Sequence, residues 1–184
     1  LISCLTHDVD HPFLPKHKLD RTTLGCLYRA VFAALIDTLR GRRSLAELFR
    51  NWAAAFRLPL VHVGLAKDFW ARFDRYPKLE GGARSSFFLI PFEGRPGLKD
   101  GHPAPRHRAA SYGVADLTEQ IKTLTAEGCE IGLHGIDAWQ DVSKGSEELD
   151  EVRKVMGPGE IGVRMHWLYF DQHSPEKIEQ HAHV

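Results

Sequence analysis

"TLTAEGCEIGLHG", residues 123–135, decides how this chain folds. It reads as the end of a helix, a glycine stop at Gly128, and a strand from Cys129 to Leu133 that ends at His134. The helix before it runs from Asp116 to Glu127. Downstream the same grammar repeats. A helix from Ser146 to Met156 closes at Gly157-Pro158, and an apolar strand follows from Ile161 to Leu168. Upstream, "ARSSFFLIP" (83–91) holds the apolar run Phe87 to Ile90 between Gly81-Gly82 and Pro91, the mark of a buried strand. Strands alternating with helices predict an α/β fold with a parallel sheet and helical crossovers.

The remaining segments fit around that unit. Residues 1–7 read as a short buried strand, broken by Pro12 and Pro15. From Arg21 the pattern is helical, with Leu24, Leu27, Tyr28, Val31, Phe32, Leu35 and Leu39 at helical spacing and Gly41 as the stop. Ser44 with Glu47 forms a capping box opening a second helix. A third, short helix is expected over Ala66 to Tyr76, so residues 21–76 make a helical insertion between the first two strands. Residues 92–111, rich in Pro and Gly, read as a long loop. Ser174-Pro175 opens a last helix.

The bulk numbers exclude several functions. The 184 residues carry 24 Lys+Arg against 24 Asp+Glu, so no global field favours nucleic acid or an anionic membrane. No uninterrupted apolar run approaches about 18 residues, so no transmembrane segment is expected. Cys4, Cys26 and Cys129 are odd in number and lack CxxC spacing. That fits a reducing compartment and leans towards a cytoplasmic location, which is otherwise open. Cys4 and Cys129 lie in apolar runs and are expected in the core. Oligomeric state is not legible.

Polar residues gather where strands end. Asp8 and Asp10 follow the first strand, His134 the third, and Arg164 and His166 sit at the fourth. In parallel α/β folds these ends share one face, where active sites form. Asp8 and Asp10, two residues apart on extended chain, point the same way. One can hold a divalent metal while the other takes a proton from water; the alternative is a solvated loop. His134 is placed as a metal ligand, or as a satisfied buried histidine, and Asp137 on the next turn can join it. Arg164 and His166 share parity, and an arginine beside carboxylates orients them; the alternative is a structural ion pair. His7 and His11 flank the aspartates and are expected to stand behind the ligands. His181 and His183 read as a frayed terminus.

Together these residues resemble the polysaccharide deacetylase (NodB-homology, carbohydrate esterase family 4) superfamily, in a branch whose first motif reads THDVDHP. The resemblance rests on Thr6-His7-Asp8-Val9-Asp10, then Ser86-Phe87-Phe88, then Glu130 to His134, then Arg164-Met165-His166-Trp167. It covers nearly the whole chain and implies a single domain, 1–184, with a distorted or incomplete (β/α) barrel. It implies a divalent metal, most simply zinc, and hydrolysis of N- or O-acetyl groups on a carbohydrate. By similarity Asp8 is the general base, Asp10 and His134 are metal ligands, Arg164 braces the base, and the Trp167 N–H meets the oxyanion. The chain departs from the family in carrying Ala138 where a second ligand His is expected, which leaves Asp137 or His166 to supply it. His166 itself stands where the family has Pro. The family's late strands and late acid His are not found after Ser174, so a fragment is expected. The alternatives to a hydrolase are a carbohydrate-binding or regulatory pseudoenzyme, or another metallohydrolase acting on an amide or phosphate ester.

Overall fold

The structure is a computed structural model that describes residues 4–16, 20–70, 72–99, 102–138, 141–168 and 176. The expected strand start at Leu1, the helix opening at Ser174-Pro175 and the terminal His181 and His183 lie outside the described residues. The chain divides into two compact units, Leu1–Pro12 with Arg72–Val184, and Phe13–Ala71.

The first unit is the α/β unit that the alternation predicts. Its strands are β1 (Leu5–Val9), β2 (Ser85–Leu89), a short antiparallel pair β3 (Leu98–Lys99) and β4 (His102–Pro103), β5 (Glu130–Gly135) and β6 (Val163–Met165). The main sheet runs β1-β2-β5-β6, all parallel, in the same order as the chain, and curls into a half-barrel. Ser85, Phe87 and Leu89 alternate inward along β2, as period-2 strands require. They join Ile131 and Leu133 of β5 in a core closed by Ile121 and Leu124 of one helix (Thr118–Ala126) and Leu149 and Val152 of another (Val142–Met156). Gly132 stands opposite Phe88 in register, and a Cβ there would lie 2.6 Å from two ring carbons and 2.8 Å from the Gly162 carbonyl oxygen. Only glycine lets the ring lie across β5.

Several boundaries differ from the expected ones. The Val142–Met156 helix starts four residues before Ser146, because the Asp141 carboxylate caps it by accepting from Ser143 N (2.9 Å) and Lys144 N (3.3 Å). The fourth strand ends at Met165, three residues before Leu168, where a 3-10 turn begins. The helix expected over Ala66 to Tyr76 shrinks to a 3-10 turn, Phe73–Arg75, and a helical turn, Tyr76–Leu79. The Asp68 carboxylate accepts from Leu14 N (2.9 Å) and Trp70 N (2.8 Å), so its side chain competes with a helix there. Cys129 is buried as expected, but Cys4, one residue ahead of β1, is exposed.

The second unit is a helix pair. Its first helix, Arg21–Leu39, opens on the cap from Asp20 to Thr23 N (2.9 Å) and passes through one π turn at Arg29–Ala33. Its second, Leu45–His62, starts at the expected box: Ser44 N donates to Glu47 Oε2 (2.8 Å) and Glu47 N to Ser44 Oγ (3.2 Å). Leu14, Leu58 and Val61 form its core. The first helix, with mean hydropathy 1.3, is long and apolar enough by length and composition to cross a membrane. Arg29 and Asp37 interrupt its apolar run, which is why a search for an uninterrupted stretch passes over it.

Candidate metal centre

Three side chains meet above the C-terminal ends of the strands. Asp10 follows β1, His134 lies in β5 and His166 follows β6. The Asp10 Oδ1 lies 3.5 Å from His134 Nε2 and 3.5 Å from His166 Nδ1. One ligand atom from each residue falls within 4.8 Å of the others. Both histidines are buried, at 3% and 8% exposure, with their rings edge to face at 4.9 Å. The His134 ring is aimed by its Nδ1–H, which donates to the Arg164 carbonyl (3.2 Å) and leaves the Nε2 lone pair towards Asp10. Were both rings protonated, their N–H groups would hold the Asp10 carboxyl well below the usual carboxylate range.

The polar atoms of this cluster do not satisfy one another. Asp10 Oδ1 and His166 Nε2 are buried with no hydrogen-bond partner among the described residues. Such orphaned groups are costly unless something fills the gap. A separation of 3.5 Å is too long for a good hydrogen bond. It is close to the roughly 3.3 Å between two ligand atoms that sit about 2.05 Å from one ion at a tetrahedral angle. One carboxylate and two imidazoles are also a donor set that divalent ions accept. Asp10, His134 and His166 therefore fit a metal ion, whose identity the donors leave open.

Asp8, two residues before Asp10, is held by an arginine. Its Oδ1 lies 3.2 Å from Arg164 Nε, and Arg164 Nη1 donates to Thr6 Oγ1 (2.9 Å). Arg164 sits on β6 and its partners on β1, the two edges of the sheet. The half-barrel curl lets one side chain bridge them. Trp167 has φ 64, a left-handed backbone that costs a bulky residue strain, and its ring stands 5.1 Å from His166.

Of the two residues expected to complete the ligand set, His166 joins the cluster. The Asp137 carboxylate turns elsewhere: Oδ1 accepts from Leu98 N (2.8 Å) and Oδ2 lies 3.7 Å from Lys144 Nζ. Ala138 is buried. His7 faces the other side of β1, stacked on Phe87 at 4.6 Å with Nε2 2.5 Å from Glu80, and is not brought to the cluster. His11 is exposed.

Comparison with family models, curated proteins and solved structures gave no match.

Two buried residues that support the site carry no motif. Tyr112 is fully buried; its hydroxyl donates to the Val9 carbonyl and accepts from Ile90 N (3.0 Å). It ties the ends of β1 and β2 one residue before Asp10, and burial pushes its phenol pKa up. Nothing in the loop that carries it signals this. Glu148 accepts from Ile136 N (3.0 Å) and Asp137 N (2.8 Å), clamping the turn after His134. Burial pushes its carboxyl up to about 7. Here a signal existed: Glu148 falls on the inward stripe with Gly145, Leu149 and Val152.

Proposed function

We propose that the protein is a metal-dependent hydrolase that removes acetyl groups from a carbohydrate. The observation that carries this reading is the Asp10/His134/His166 cluster beside an arginine-held Asp8, at the strand ends of a parallel half-barrel. Asp10, His134 and His166 would hold the ion, with zinc the simplest choice for that donor set. When bound, it supplies a Lewis acid for the acyl carbonyl and lowers the pKa of water.

The chain's own groups do the rest. Asp8 takes a proton from the attacking water, and Arg164 fixes the carboxylate in place for it. The new C–O bond forms at the acyl carbon, and the Trp167 N–H donates to the oxygen that gains negative charge. The bond to the sugar nitrogen or oxygen then breaks, the proton returns to that atom, and acetate leaves.

The test is acetate release from acetylated chito-oligosaccharides and xylans with zinc, cobalt or manganese, alongside metal analysis. Asp10→Ala is expected to lose the metal and the activity. Asp8→Asn is expected to keep the metal and lose roughly 10²–10⁴ in rate. Equal release by wild type and Asp10→Ala, or no release by either, overturns the reading. Glycan binding that survives a chelator, without turnover, would favour a binding protein of the same fold.

A further inference from the structure

The Phe13–Ala71 unit turns much of its apolar surface outward. On its first helix Leu24, Tyr28, Phe32, Leu35, Ile36 and Leu39 are all exposed, Leu39 at 79%. Their spacing of three and four places them on one face, a stripe roughly 23 Å long. On the second helix Leu45, Phe49, Phe56 and Leu60 repeat the pattern, with Phe56 80% exposed. Single exposed apolar residues are ordinary, but two aligned stripes on neighbouring helices mark a binding surface. Where the helices meet, two open apolar grooves of about 350 and 340 Å³ share Leu27 and Ala55.

Charge says what covers this surface. Between residues 21 and 62 seven arginines stand against two acids, and every arginine is exposed. One acid, Asp37, already pairs with Arg43 (3.4 Å), and the other, Glu47, caps the second helix. Arg40, Arg42 and Arg43 cluster in the turn that joins the helices. The partner must therefore be apolar at depth and anionic at its surface.

We propose that this helix pair docks on an anionic membrane surface, with its apolar stripes at the acyl boundary and its arginines on lipid phosphates. A second copy of the chain fits poorly, because a twofold contact brings like charges face to face. Crossing the bilayer fits poorly too. Arg29 lies in the middle of the first helix, and Arg50 and Arg57 lie inside the second, where hydrocarbon would enclose them. Lying in the interface keeps them at the headgroups, and suits Tyr28 and Trp52.

The experiment is co-sedimentation of the full chain with vesicles of phosphatidylcholine alone or with phosphatidylglycerol. Binding is expected on the anionic vesicles, weakening from 50 to 500 mM salt. Arg40→Ala/Arg42→Ala/Arg43→Ala should lower partition about 100-fold, at roughly fivefold per arginine near an anionic surface. Phe32→Ser/Phe56→Ser, exposed positions whose helicity circular dichroism can verify, should abolish it. Three results overturn the proposal: no pelleting with either vesicle, binding indifferent to the serine substitutions, or a dimer in sedimentation equilibrium that those substitutions dissolve without any vesicle binding.

Discussion

Removing one oxygen atom tests how the site is held. In Tyr112→Phe the ring still fills its space, so no cavity opens, but the Val9 carbonyl and the Ile90 N–H lose their shared partner in a buried place. Each unsatisfied backbone group costs about 1–3 kcal/mol, so the pair costs about 2–6 kcal/mol. Set against about 5–15 kcal/mol for a whole domain, that is a large share. With a urea m-value of about 2 kcal/mol/M the midpoint should fall by about 1–3 M, with the slope unchanged. Because burial pushes the Tyr112 phenol up, the hydroxyl stays a donor and the loss should be the same from pH 5 to pH 9. Tryptophan fluorescence in urea measures this. Metal titration of the folded variant should show weaker uptake, since Asp10 follows Val9 directly. A midpoint shift below about 0.3 M would mean that the two groups are satisfied without Tyr112, and the argument fails.

Two further substitutions probe the sheet and its pH response. Folding raises the Glu148 carboxyl from 4.5 to about 7, so the folded state binds the extra proton. Stability from this group is therefore full below about pH 4.5 and declines as pH rises to about 7, by about 3 kcal/mol at 1.36 kcal/mol per unit. In chelator, the difference between wild type and Glu148→Gln should trace that slope, and a difference that is flat with pH refutes the assignment. Gly132→Ala would force a methyl group against Phe88 and the Gly162 carbonyl, at a cost of about 1–3 kcal/mol. Calorimetry should show a fall of at least about 2 °C in Tm, and an unchanged Tm would mean that the strand gives way freely.

What could be read from the sequence follows from what is local. Gly128, the apolar run at Phe87 and the Ser44/Glu47 box are written in adjacent residues, and each appears where expected. The strand-end clustering of Asp10, His134 and His166 was legible because parallel topology forces those ends together. The choice between Asp137 and His166 was not, since it depends on Leu98 N, some 40 positions away, claiming the Asp137 carboxylate. Tyr112 was silent for the same reason: its partners lie 103 and 22 residues distant. The outward stripes of the first helix show the converse limit. Periodicity locates an apolar face without saying whether protein covers it.

The chain-order sheet also sets a timetable. Synthesis delivers β1, β2, β5 and β6 in the order in which they sit, so each strand can dock on the edge of the one before. Asp10 leaves the ribosome first and His166 follows 156 residues later, roughly 8–30 s at ordinary elongation rates. Throughout that interval the nascent chain holds the Asp10 carboxylate and at most one of the cluster's two imidazoles. An ion held by all three side chains would therefore be bound only once the last described strand is in place.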